Sequence, residues 1–267
     1  MSQSLPAFVV SIRAQTHRHQ IAGTGFVVDA RHILTCAHVI TNAGAAPGDT
    51  VRVVFAVPRA AGRNQPRAQA VVLPDFWRAA AGDDVAVLEL LGDRFPAGVV
   101  PAQMASAKHS RGHNFAAFGY PHVGGDIKGF PAEGKILGDA PRAGGGSYLA
   151  LRSPEMAQGM SGAPVLDTDI DRVVGMITRK TTKETGTFRD AGMATPIDRI
   201  QTIWPPLLLT PPDVMAKPGS TTVQIEGSGT AVAGNQNLVV GAGGTYIENV
   251  TIQQQSPAPP TPEPPSS

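Results

Sequence analysis

Twelve short apolar runs, rich in Val, Ile, Phe and Thr and each cut off by Gly, Pro, Asn or Asp, limit what this chain can fold into. Runs this short at this spacing read as strands of an all-β barrel or sandwich, too brief for helices. FVVSIRA, IAGTGFVVD, HILTC, VRVVFAV, QAVVL and DVAVLEL come before a Pro-containing joint near VVPAQ. HNFAAFGY, GKILG, SYLAL, APVLD, RVVGMIT and GMATPI follow it. Two groups of six predict two small antiparallel barrels, over about 5–95 and 98–195, each closed so that no strand edge is left unpaired. The one convincing helix is PIDRIQTIW, residues 196–204, with Pro in the first turn and Ile197, Ile200 and Ile203 at helical spacing.

These pieces make one domain over 1–210, and the composition changes after it. A Pro-rich linker occupies 211–220, and 221–254 alternates β-prone pieces with Gly and Asn. This β-prone extension reads as a hairpin or solenoid-like module, or as a flexible Gly-rich extension. The tail over 255–267, SPAPPTPEPPSS at its end, reads as disordered or polyproline-like.

Composition narrows the function. With 22 Lys plus Arg against 21 Asp plus Glu, the net charge of +1 supplies no field for a polyanion or an anionic membrane, so neither nucleic acid nor membrane is an expected partner. No apolar stretch approaches the roughly 18 residues of a membrane span. The single cysteine, Cys36, cannot form an intrachain disulfide, and the opening residues lack a signal-peptide pattern, so a cytoplasmic location is expected. The other histidines, His17, His19, His32, His109, His113 and His122, lack metal-ligand spacing and read as surface residues. The basic stretch PRAAGRNQPR reads as a solvated loop rather than a nucleic-acid patch. No phosphate loop, haem signature or Cys-His cluster is present, and no cofactor or metal is implied.

The hexapeptide GMSGAP, Gly159 to Pro164, carries a serine in a tight small-residue turn. A serine is a weak nucleophile unless a base lies in hydrogen-bond reach and a third group holds that base in one tautomer. His38 in ILTCAHVI follows an apolar strand at the start of a short helical turn, and Asp84 heads DVAVLEL. Alternation along that strand should carry the Asp84 carboxylate to the barrel edge while Ala86, Leu88 and Leu90 share one face. Its neighbour Asp83 reads as a turn aspartate.

The three segments together resemble the trypsin-like (chymotrypsin-fold) serine proteases, in the bacterial branch that includes the HtrA-like enzymes. TGFxxxxxxxLTxAH is matched from Thr24 to His38, Asp-φ-Ala-φ-Leu from Asp84 to Leu88, and Gly-x-Ser-Gly-x-Pro from Gly159 to Pro164. The order His, Asp, Ser differs from that of the α/β-hydrolases and subtilisins. The resemblance runs from about Ala7 to Trp204 and implies a serine endopeptidase acting on protein or peptide substrates. It implies His38 as base, Asp84 as its orienting carboxylate and Ser161 as nucleophile, with the N–H groups of Gly159 and Ser161 as oxyanion hole. Met160 stands where zymogen-activated members carry an aspartate, so activation by N-terminal cleavage is not expected. Cys36, beside the base, reads as a small buried hydrophobe.

In the resembled family the residue six before the serine lies at the base of the substrate pocket, which implies Glu155 there, with Thr178 and Gly192 as further pocket residues. That arrangement favours Lys or Arg before the scissile bond. Two alternatives remain: neutralisation of Glu155 by Arg179 or Lys180, and a solvent-facing loop glutamate. No PDZ domain is expected after the barrels. The Gly-rich module after a trypsin-like domain resembles bacterial conflict and signalling proteins, in which a protease is coupled to a regulatory or sensor partner. The competing functional class is a catalytically silent protease-fold module used for binding or assembly.

Overall fold

The computed structural model of the protein describes residues 3–17, 20–57, 65–121, 129–142, 145–180 and 190–210. The expected linker, Gly-rich module and tail, 211–267, lie outside them.

Twelve strands form: β1 Val9–Arg13, β2 Ile21–Val27, β3 His32–Thr35, β4 Thr50–Phe55, β5 Arg67–Val72, β6 Ala86–Leu90, β7 Asn114–Gly119, β8 Phe130–Pro141, β9 Ser147–Arg152, β10 Pro164–Asp167, β11 Arg172–Lys180 and β12 Ala191–Pro196. They close into two six-stranded antiparallel barrels, ordered β1-β2-β3-β6-β5-β4 and β7-β8-β9-β12-β11-β10. The second order repeats the first, so the halves share one topology. Closure leaves no open sheet edge in either half, which lets short β-prone strands exist without aggregating.

The apolar runs fill the barrel interiors, with one core around Phe26, Ile33, Leu34, Val53 and Leu88. The other surrounds Phe115, Ile136, Leu151, Val165 and Ile177. Strand β8 extends well beyond the GKILG run because its residues alternate between buried and exposed and the register shifts between Ile136 and Gly138, leaving Leu137 unpaired in a bulge. A bulge interrupts alternation, so the run of apolar residues understates the strand.

Helix α2, Ile197–Ile203, buries Ile197, Ile200 and Ile203 as its spacing predicts, although Pro196 is the N-cap in extended conformation rather than a first-turn residue. Its end seats Trp204, 2% exposed, against His32 and Phe76 in the first half. A second helix, α1 over Ala37–Asn42, forms one and a half turns directly after β3 and carries His38. Among the described residues no helix is long and apolar enough to cross a membrane.

Candidate active site

Helix α1 starts at Ala37 because Cys36 is extended, and this places His38 in the first turn facing the loop before β6. Asp84 lies two residues ahead of β6, in a turn rather than on the strand, with φ +57°. Ala86, Leu88 and Leu90 are all buried on one face, as expected, and Val87 on the other face is buried too because the strand packs on both sides. The left-handed conformation, tolerated by Asp better than by most residues, turns the carboxylate inward to 2% exposure. There it accepts two hydrogen bonds from one residue: from the His38 backbone N–H to Oδ1 at 3.0 Å, and from Nδ1 to Oδ2 at 2.6 Å. Ring and backbone of His38 are thereby held by the same carboxylate, which fixes Nδ1–H and leaves Nε2 as the acceptor nitrogen.

The turn carrying Asp84 is itself fastened, and here Asp83 differs from a simple turn aspartate. Its carboxylate receives Arg199 of α2 through Nε at 3.0 Å and Nη2 at 2.8 Å, and Arg142 at the end of β8 through Nη1 at 2.7 Å. Its carbonyl accepts from Thr195 Oγ1 at 3.1 Å. The hydrogen bond from Arg199 is the main cause that holds the Asp83 carboxyl below its usual range, against the opposing effect of burial. Three elements of the second half thus grip a turn of the first. Arg142 and Arg199 lie 59 and 116 residues from Asp83, and no local pattern marks them.

Ser161 is anchored from the opposite side. Thr24, fully buried on β2, donates its N–H to the Ser161 carbonyl at 2.9 Å and its hydroxyl to the Gly159 carbonyl at 3.3 Å. The same hydroxyl accepts from the Tyr120 N–H at 3.1 Å, and the Thr24 carbonyl accepts from Thr35 Oγ1 at 2.6 Å. Thr24 therefore ties the serine loop of the second barrel to the first. It opens the TGF motif, which marks it without revealing its task. Close approach also explains Gly162, at φ +86°: a Cβ there would lie 1.9 Å from the Thr24 carbonyl oxygen. Gly159 has φ +96°, a conformation costly to side-chain-bearing residues. The N–H groups of Gly159 and Ser161 make no hydrogen bond within the described residues, whereas Met160, Gly162 and Ala163 each donate to a carbonyl.

The Ser161 hydroxyl donates to the Thr178 carbonyl at 3.2 Å and makes no hydrogen bond to His38. Thr178 is skipped where the β11 register with β12 shifts between Ile177 and Arg179, so its carbonyl is free of the ladder; its hydroxyl donates to Met193 at 3.1 Å. Gly192 is buried, paired with Leu151 of β9. Glu155 is exposed, and its carboxylate accepts from the buried Ser153 hydroxyl at 3.1 Å. The side chains of Arg179 and Lys180 lie outside the described residues.

Met160 is fully buried in the second core, and Cys36 is fully buried with its thiol donating to the Ile177 carbonyl at 3.3 Å. Among the described residues one set of donors is close enough to hold a metal ion: atoms of Cys36, His38 and Asp84 lie within 4.8 Å of one another. A metal there would have to displace the His38–Asp84 hydrogen bond. The surface reading of the remaining histidines needs correction at two positions. His32 bonds Asp29 at 2.8 Å and packs on Trp204, and His113 bonds the fully buried Asp167 at 2.8 Å. His17 and His109 are exposed, and His19 and His122 lie outside the described residues.

Residues 23–176, more than half of the chain, match the trypsin-like peptidase domain, and the chain belongs to that family. It is a serine peptidase, a hydrolase of peptide bonds. Among solved structures it resembles the Rv3671c protease of M. tuberculosis in its active form, with 21% identity and TM-score 0.53 over 78% of this chain and 84% of that one. A serine-to-alanine variant of that protease in its inactive form gives 21% identity and TM-score 0.53 over 76% and 87%. The HtrA-type protease AlgW with a decapeptide gives 17% identity and TM-score 0.53 over 75% of this chain and 65% of that one. No curated protein matches the sequence.

Proposed function

We propose that the protein is an endopeptidase that cleaves through an acyl-enzyme, with His38, Asp84 and Ser161 as its triad. The observation that supports this most is the double hold of Asp84 on His38, 3.0 Å to the backbone N–H and 2.6 Å to Nδ1, opposite a serine loop anchored by Thr24. In the resting arrangement Ser161 Oγ is parked on the Thr178 carbonyl. Catalysis begins when it turns to Nε2 of His38, a bond that commonly tightens only with substrate bound.

As the Oγ–carbon bond forms, the serine proton passes to Nε2. Asp84 stabilises the imidazolium without taking the proton. The carbonyl oxygen becomes an oxyanion that accepts from the uncommitted N–H groups of Gly159 and Ser161; losing one such donor typically costs about 3 kcal/mol of transition-state stabilisation. Collapse breaks the C–N bond as Nε2 returns the proton to the leaving amine. Water, deprotonated by His38, then hydrolyses the ester and restores Ser161.

The test is covalent labelling of the full chain by a fluorophosphonate probe. Labelling that disappears in Ser161→Ala supports the reading. Absence of labelling and of peptide hydrolysis in the wild type would establish the silent binding module, the state toward which the parked hydroxyl points. The C-terminal residues 211–267 are proposed to carry a regulatory or sensor partner in a bacterial signalling or defence system, on the strength of their break in composition. A reducing, cytoplasmic setting suits a chain whose one cysteine is a buried thiol. Truncation after Pro212 should leave the thermal transition and probe reactivity intact; loss of the transition would make the segment part of the fold.

A further inference from the structure

Strand register places three arginines on one face of the first barrel. Arg13 of β1 is directly opposite Arg52 of β4, and Arg52 is opposite Gln69 of β5. Arg67 lies two residues from Gln69 and therefore on the same face. The three guanidinium groups line a groove of about 610 Å³, whose described lining residues include no Asp or Glu. An adjoining opening of about 370 Å³ shares Arg13, Arg52 and Gln69 and adds Gln15 and Thr50. On the other side Arg67 leads into an opening of about 650 Å³ that holds Arg94 beside Leu91, Phe95 and Pro96. Leu91 is 52% exposed. Arg67 is the described end of the basic stretch that the sequence presents as a solvated loop.

Like charges directly opposite on neighbouring strands destabilise a sheet. Burial lowers the pKa of Arg13, Tyr120 opposes that, and the charges of Arg67 and Arg52 add smaller downward effects. Arg52 Nη2 also donates to the Ala14 carbonyl at 3.3 Å, and an anion set between the guanidinium forks would accept charge-assisted hydrogen bonds from them.

We propose that this groove is a docking site for an acidic polypeptide segment that also carries apolar residues: its carboxylates pair with Arg13, Arg52 and Arg67, and its apolar side chains rest on Leu91 and Phe95. The walls choose between polyanions. The described residues of the two arginine openings include no aromatic ring on which bases could stack, whereas the third opening is largely apolar. With a net charge of +1 the molecule also lacks the general field that draws in nucleic acid. Docking here does not depend on catalysis and is read by binding alone.

The experiment measures anisotropy of a fluorescein-labelled peptide of alternating Glu and Leu against the full chain bearing Ser161→Ala. Binding is expected, weakening as salt rises to about 0.15 M. Arg67→Glu, at an exposed position, and Arg52→Glu should each weaken it about tenfold, as should Gln for Glu in the peptide. Arg67→Gln should weaken binding while leaving Tm unchanged, since Arg67 is exposed; a structural role would lower Tm instead. Equal binding of the Gln peptide, indifference to Arg67→Glu, or no binding at all overturns the proposal. Tighter binding of a single-stranded oligonucleotide of equal charge overturns the choice of polypeptide.

Discussion

The two barrels each hold one histidine against one buried carboxylate, and the pairs are nearly alike. His38 and Asp84 meet at 2.6 Å with the side chains 29% and 2% exposed; His113 and Asp167 meet at 2.8 Å with 28% and 0%. Their surroundings differ. Asp84 takes both of its bonds from His38, ring and backbone, so it serves to aim one imidazole. Asp167 gives its other oxygen to the Asp169 N–H at 3.0 Å, while Thr168 bonds the Asn114 carbonyl beside it. That second pair fastens the turn after β10 to the start of β7. A histidine–aspartate bond is thus a component and not a function. On our reading the first becomes catalytic because Ser161 and two uncommitted N–H groups are delivered to it by a loop tied to Thr24.

The largest expected effect separates the pairs outright. His38→Ala and Ser161→Ala should each lower kcat/KM by at least about a thousandfold, with Tm little changed, because triad members act as a unit. His113→Ala should do the opposite: turnover within about threefold of wild type, and a stability loss of about 1–3 kcal/mol from a buried carboxylate stripped of its partner. Steady-state kinetics and thermal unfolding on the same samples decide this. Equal kinetic damage from both histidines would break the comparison.

A middling effect is expected at the turn that aims Asp84. Arg199→Ala should reduce turnover by about tenfold, since small displacements of a catalytic group are costly. It also has a pH signature. The Asp83 carboxyl is held down chiefly by the Arg199 hydrogen bond, so its contribution is present above its ordinary value of 3.8 and is lost as pH falls through the lower folded value. The Tm gap between wild type and Arg199→Ala should therefore narrow below about pH 4. A gap independent of pH would remove Asp83 from the account.

The smallest effect concerns the contact between halves at Tyr120. Burial is the main cause that raises its phenol from 10.0 to about 12. The unfolded chain ionises first, so the folded state loses stability as pH climbs from about 10 to 12. Tyr120→Phe should flatten that alkaline limb of a Tm-versus-pH curve. An unchanged slope would show that other groups titrate there.

Twelve strands and the helix on Ile197, Ile200 and Ile203 are legible in the sequence because apolar runs bounded by turn residues report burial locally. The His38, Asp84 and Ser161 segments are legible too, since motif spacing survives in one dimension. What escapes is whatever two distant segments make jointly. Asp84 looks like a strand residue until its φ of +57° is seen, and Asp83 looks idle until Arg142 and Arg199 arrive from the other barrel. His113 reads as a surface residue because Asp167, its partner, lies 54 positions away. Glu155 shows the same limit: counting back from a serine gives a position along a loop but not the bond from the buried Ser153 hydroxyl that its carboxylate accepts.

The central claim, that one histidine–aspartate pair is catalytic and its counterpart structural, is tested most directly by trapping the acyl-enzyme. Wild type, His38→Ala and His113→Ala would be mixed with an activated ester, quenched in acid, and digested for mass spectrometry of the peptide containing Ser161. The account predicts acylated Ser161 in wild type and His113→Ala and none in His38→Ala on the same timescale. Acylation that persists in His38→Ala and vanishes in His113→Ala would contradict it.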